Sequence, residues 1–167
     1  MARRSTKLTH LSPAGRVRMV DVGDKSVSQR QAVAAGRIRI SPQAMEEVRQ
    51  GRLAKGNVLE TARLAGIMAA KRTAELVPLC HSLPLEHVEI EIRDIGSGFE
   101  IEASVRTTGK TGVEMEALTA VTVAALALYD MVKAADRTVV IGDVRLLRKS
   151  GGRSGLYVRR EGKTKSP

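Results

Sequence analysis

The chain has 167 residues, 43% of them hydrophobic, and a formal net charge of +10. That length suits one domain, here read as residues 1–167, able to bury roughly 70% of its unfolded surface. With no Trp, two Tyr and one Phe, the core must be built from Ala, Val, Leu and Ile, and platforms for stacking nucleic-acid bases are scarce. Cys80 is the single cysteine, which excludes an internal disulfide and suits a reducing, cytoplasmic setting. No run of 18 apolar residues is present, so no membrane span is expected. No apolar stretch follows the basic start, so no signal peptide is expected.

The charge is unevenly spread. Residues 1–18 carry five Lys/Arg and no acid, and residues 145–167 carry eight Lys/Arg and one acid. Residues 19–144 hold 15 basic and 17 acidic side chains. Such a pattern fits a basic rim around an anionic small molecule as well as it fits a nucleic-acid surface. The outermost stretches, 1–15 and 156–167, read equally well as flexible basic tails.

In chain order, residues 16–22 alternate weakly as a strand, and residues 30–40 end in a clear half-buried strand, Arg37-Ile-Arg-Ile40. Ser41 followed by Pro42, with Gly51 beyond, predicts a short helix over 42–50. Asn57 and Glu60 form a capping pair that opens a helix from 58 to about 75, with Pro78 after it. Residues 85–94 and 99–108 alternate with period two around Ile95-Gly-Ser-Gly98, the pattern of a hairpin. Thr111 and Glu114 read as a capping box for a long, largely buried helix from about 112 to 135. Residues 138–147 read as a last strand. Two consecutive antiparallel strands with segregated helices predict an α+β fold, not a doubly wound parallel sheet.

The long apolar helix carries Glu116, Asp130 and Lys133, and charge on a buried element is costly unless paired or used. Asp130 and Lys133, three apart, share a helix face as an ion pair or as an acid–base pair. Glu116 is read as lying beyond the cap, which gives it more functional weight than Glu114. Leu79-Cys-His81 sits between Pro78 and Pro84, a stiff loop suited to presenting an imidazole, or else a plain connector. Cys80 beside His81 also raises cysteine catalysis, although adjacent side chains usually diverge. Lys55 precedes a capped helix start, which is a natural anion site or an exposed lysine in a turn. Lys149-Ser-Gly-Gly-Arg-Ser-Gly155 is basic and glycine-rich, so it could order over a phosphate chain or serve as a linker. Three His and one Cys offer little for a dedicated metal site.

Several runs together resemble the cyclic pyranopterin monophosphate synthase family of molybdenum cofactor biosynthesis. They are Lys110-Thr-Gly-Val-Glu-Met-Glu-Ala-Leu-Thr119, Tyr129-Asp-Met-Val-Lys133, Pro78-Leu-Cys-His81, Thr61-Ala-Arg-Leu-Ala-Gly-Ile67 and Lys149-Ser-Gly-Gly-Arg-Ser-Gly155. Leu8-Thr-His10 and Met19-Val-Asp-Val22 match as well, so the likeness covers about residues 8–155. The resemblance implies a ferredoxin-like α+β fold, with an antiparallel sheet packed against helices, and a homohexamer built as a trimer of dimers with inter-subunit active sites. It implies a lyase that converts 3′,8-cyclo-7,8-dihydroguanosine 5′-triphosphate to cyclic pyranopterin monophosphate with release of diphosphate. It places catalytic roles on Asp130, Lys133 and Lys55, and substrate contacts on Leu79, Cys80, His81, Glu114, Met115 and Glu116. Lys149 is expected near phosphate. No resident cofactor or protein-held metal is expected, although Mg²⁺ can accompany the triphosphate; no nucleic-acid or membrane partner is expected. Asn57 and Ser82 depart from the family's usual Asp and Pro. An RNA-binding protein without enzymatic activity is the alternative that an α+β sheet with basic ends leaves open.

Overall fold

The computed structural model describes residues 15–53 and 56–160. Lys55 and the run from Leu8 to His10 lie outside the described residues, as do the ends of both expected tails. The elements follow the order β1 (Ser28–Arg39), α1 (Pro42–Arg49), α2 (Val58–Lys71), α3 (Thr73–Leu76), β2 (His87–Asp94), β3 (Gly98–Gly109), α4 (Glu114–Val132), β4 (Val140–Ser150) and β5 (Tyr157–Val158). The strands form one sheet in the order β2-β3-β1-β4-β5, and every neighbouring pair is antiparallel. The architecture is α+β, as the alternation of elements implies.

Period-two patterning sorts the sheet into two faces. Ala32, Ala34 and Ile38 of β1 and Ile101, Ala103 and Val105 of β3 are buried beneath the helices. The opposite face holds charged cross-strand partners: Arg37 stands opposite Glu100 in register and donates to it at 3.1 Å, and Arg93 pairs with Glu102 at 3.2 Å. These exposed pairs select register more than they add stability. Without large aromatics, the helix layer must come close to the sheet and to itself. Ala117, Ala120, Ala124 and Ala125 of α4 are fully buried. Gly66 of α2 lies so near that an added Cβ would meet the side chain of Ile90 and, at 2.8 Å, the carbonyl oxygen of Ala120.

Both short capping predictions hold. The Ser41 hydroxyl accepts from Ala44 N–H with Pro42 in the first turn, and the Asn57 side chain accepts from Glu60 N–H at 3.1 Å. The hairpin closes through Ile95 N–H to Gly98 O at 3.0 Å. Asp136, buried after α4, accepts from Ser41 N–H at 2.7 Å and from Thr138, and these donors hold its carboxyl down at about 2.

Other expectations change. Residues 16–22 form no strand; Val17 alone makes a bridge, and the stretch is mostly exposed. The predicted single helix over 58–75 breaks at Arg72, whose N–H turns to Ala69 O while the Thr73 hydroxyl donates to the Ala69 and Ala70 carbonyls. The capping box at Thr111 does not form. α4 starts at Glu114 with Val113 as its N-cap, which no side chain caps. Glu116 is therefore in the first turn instead of beyond it. Tyr157 and Val158, within the stretch expected to be a tail, pair with Lys149 and Arg148. α4 has the length and apolarity of a membrane span, but half of that window is buried within the fold, which accounts for its composition.

Candidate active site

Three chain segments converge at the N-terminal end of α4. The loop after α3 turns through Cys80 N–H to Val77 O at 3.0 Å and presents Leu79, Cys80 and His81. The first turn of α4 presents Glu114, Met115 and Glu116, and residues 20–25 cross over from the other side. Together they enclose a cavity of about 470 Å³, with Val20, Val22 and Leu83 on its apolar walls. All six side chains expected at the substrate thus line one space.

Glu116 is 4% exposed. Burial pushes its carboxyl up to about 7; its own backbone amide opposes that rise and neighbouring Glu114 adds to it. A carboxyl poised there can hold or release a proton near neutrality. The Cys80 thiol is pushed up as well, by burial and by the charge of Glu116. A thiol held protonated is a poor nucleophile, which disfavours cysteine catalysis and leaves Cys80 as a wall of the cavity.

A second hollow of about 320 Å³ adjoins the first and shares Lys25, Thr111, Gly112 and Glu114 with it. Its lining brings together Lys25, Arg30, Lys110, Lys149 and Arg153. Lys149, at the end of β4, pairs with Glu114 at 3.0 Å and donates to the Ser154 hydroxyl at 2.8 Å. Lys110 donates to Gly23 O at 2.6 Å and so ties down the turn that crosses the cavity. Arg30 is 9% exposed and donates to Gly109 O at 3.2 Å and Lys110 O at 3.4 Å. Gly151 and Gly152, at φ of +94° and +69°, fold the loop closely over β1: a Cβ on Gly151 would collide with the Gln29 carbonyl oxygen, and one on Gly152 with the Arg30 guanidinium. From sequence the run from Lys149 to Gly155 is open to two readings, a phosphate-ordering loop or a linker; Lys149, Ser150, Gly151, Arg153 and Ser154 of it line this hollow.

Asp130 and Lys133 are not brought to either hollow. They sit at the opposite end of α4, paired at 2.7 Å and each more than half exposed. The hydrogen bond from Asp130 pushes the Lys133 ammonium up. Of the three charges expected on a buried helix face, Glu116 alone is buried.

Sequence reasoning assigned no site role to Lys25, Arg30 or Lys110, and reached Arg153 only as part of the basic run Lys149 to Gly155. One of them left a trace: Arg30 has the same strand parity as Ala32, Ala34 and Ile38, which makes it a charge at the end of an inward face. The others are ordinary basic residues until the sheet and loop bring them around one space.

The sequence matches the MoaC family over residues 19–152. It is 60% identical over 153 residues to the cyclic pyranopterin monophosphate synthase of Roseiflexus sp. (strain RS-1), covering 90% of this chain and 97% of that protein. It is 55% identical over 161 residues to the enzyme of that name from Chloroflexus aurantiacus (strain ATCC 29366 / DSM 635 / J-10-fl), covering 95% and 99%. The enzyme of that name from Thermomicrobium roseum (strain ATCC 27502 / DSM 5159 / P-2) is 56% identical over 157 residues, covering 93% and 95%. The family match spans positions 25 to 149 of the two hollows and the pair at the far end of α4, and the likeness runs nearly end to end: the chain belongs to the MoaC family.

Proposed function

We propose that the protein is a cyclic pyranopterin monophosphate synthase acting in molybdenum cofactor biosynthesis. Its substrate on this reading is 3′,8-cyclo-7,8-dihydroguanosine 5′-triphosphate, and its products are cyclic pyranopterin monophosphate and diphosphate. The observation that carries it is the adjacency of two complementary spaces. One has the size and ionisable walls for a ring system, and the other is lined by five cations, with Glu114 between them. A guanine-derived nucleoside triphosphate needs both side by side.

The chemistry divides accordingly. Opening one ring and closing another requires several proton transfers, which carboxyl, imidazole and ammonium groups can share. His81 and Glu116 face the ring space, and Glu116 is poised near neutrality. A sugar oxygen then attacks the innermost phosphorus, a new P–O bond closes the cyclic phosphate, and the bond to the bridging oxygen breaks to release diphosphate. Lys25, Arg30, Lys110, Lys149 and Arg153 stabilise the charge that develops on that leaving group. Asp130, Lys133 and Lys55 act in proton transfer and phosphate positioning. Asp130 and Lys133 reach a pocket only if a neighbouring subunit's pocket is meant, which supports a homohexamer of paired subunits with shared sites. The order β2-β3-β1-β4, with helices connecting β1 to β2 and β3 to β4, supports a ferredoxin-like assignment. A cytoplasmic setting and Mg²⁺ carried by the triphosphate belong to the same reading.

The test is anaerobic incubation of purified protein with the cyclic dihydro-GTP. Stoichiometric diphosphate and a pterin that becomes fluorescent on oxidation are expected. Unchanged substrate with folded, assembled protein would sink the proposal.

A further inference from the structure

We infer that Glu114 and Lys149 form an exchangeable pair through which a polyphosphate in one hollow switches on ring recognition in the other. The inference rests on the functional reading above and concerns how its two half-sites communicate. Glu114 lines both spaces, and among the described residues around the basic hollow it is the one acid. Its carboxylate folds back over Gly112, where an added Cβ would stand 2.8 Å from the carboxyl carbon, and meets Lys149 at 3.0 Å. Both side chains are about a quarter exposed, so the pair is partly shielded from competing water.

While the pair is made, Lys149 neutralises the charge that Glu114 brings to the ring space. A polyphosphate offers Lys149 several charged oxygens, and its own negative charge repels Glu114. The released carboxylate then has the ring cavity on its other side, where it is an acceptor for ring N–H donors. A ligand without phosphates meets a carboxylate whose charge is already neutralised by Lys149, so it gains a weaker acceptor. Affinity in the ring cavity should therefore rise when the basic hollow fills, and the coupling must be reciprocal. Such an exchange favours whole nucleoside triphosphates over their unphosphorylated fragments.

The experiment splits the substrate in two. Equilibrium dialysis of labelled guanosine against the full-length protein is run with and without saturating tripolyphosphate. In the wild type, tripolyphosphate is expected to tighten guanosine binding by about fivefold or more. In Glu114→Gln the enhancement should vanish. In Lys149→Met, guanosine should bind more tightly than to wild type without any tripolyphosphate, although GTP binds more weakly. A purely structural ion pair would give neither effect. Absent or negative coupling in the wild type, coupling that survives Glu114→Gln, or unimproved guanosine binding in Lys149→Met each overturns the exchange. Circular dichroism and particle size check each variant, with Glu114→Ala and Lys149→Gln as replacements if one misfolds. If the wild type binds GTP but the fragments are uncoupled, the exchange alone falls. If it binds neither GTP nor tripolyphosphate, the functional reading falls with it.

Discussion

Glu116 and Asp136 are both carboxylic acids sealed inside one fold, and their surroundings drive them in opposite directions. Asp136 is met by backbone and hydroxyl donors that favour its charge. Glu116 has lost water and gained the neighbouring Glu114, so its neutral form is favoured and its carboxyl titrates at about 7 instead of 4.5. Between those two values the native state keeps the proton that the unfolded chain has released. Stability is therefore full below about 4.5 and is lost as pH rises through about 7. Glu116→Gln removes that dependence. Across this window the wild type is expected to lose on the order of 3 kcal/mol relative to the variant, read by denaturant titration at a series of pH values. Parallel curves for the two proteins would mean that Glu116 is not held neutral by the fold. The acid itself was visible in the sequence, but its perturbation was not, because burial of the first turn of α4 is set by the packing of the whole fold.

At the scale of elements, propensity and patterning found β1, α1, α2, the β2–β3 hairpin, α4 and β4 because each carries its own period or cap. The failures have the same local cause. Thr111 and Glu114 have capping spacing, yet Glu114 is drawn to Lys149 across the fold, and a distant ion pair outweighs the local cap. Helix α2 shows the reverse case, a residue whose local preference is poor but whose place demands it. Glycine disfavours helix by about 1 kcal/mol against alanine, yet Gly66 is where α2 meets α4 and β2. Gly66→Ala is expected to destabilise by about 1–3 kcal/mol through overpacking, in spite of the better propensity. Chemical denaturation measures it; a gain in stability would show that α2 can shift away without cost.

At the scale of the whole molecule, α4 sets a distance. Glu116 and Asp130 lie on one unbroken helix of 19 residues, and at about 1.5 Å per residue they are roughly 21 Å apart along its axis. The two ends cannot serve one reacting centre in a single chain. If pockets are completed across a subunit interface, Asp130→Asn and Lys55→Met should each be inactive while remaining folded and assembled. Mixing them and allowing subunits to exchange should then restore part of the activity, since hybrid interfaces hold some pockets with both groups intact. Exchange verified by mass spectrometry without recovered turnover would show that these two residues do not meet across chains.

By itself the sequence determined the α+β class, the main strands and helices, and the runs of residues that carry the family likeness. Each depends on neighbours within one turn or one strand. Only the tertiary structure decided which of those runs share a space. It joined the loop at Leu79 to His81 with the start of α4, wrapped residues 20–25 across them, and gathered five basic side chains from separate segments into one hollow. It also placed Asp130 and Lys133 in solvent at the far end of a helix whose composition had suggested burial. Burial, convergence of like charge and the shifts that follow from them are properties of side chains remote in sequence. No local pattern encodes them until the sheet and its helices close.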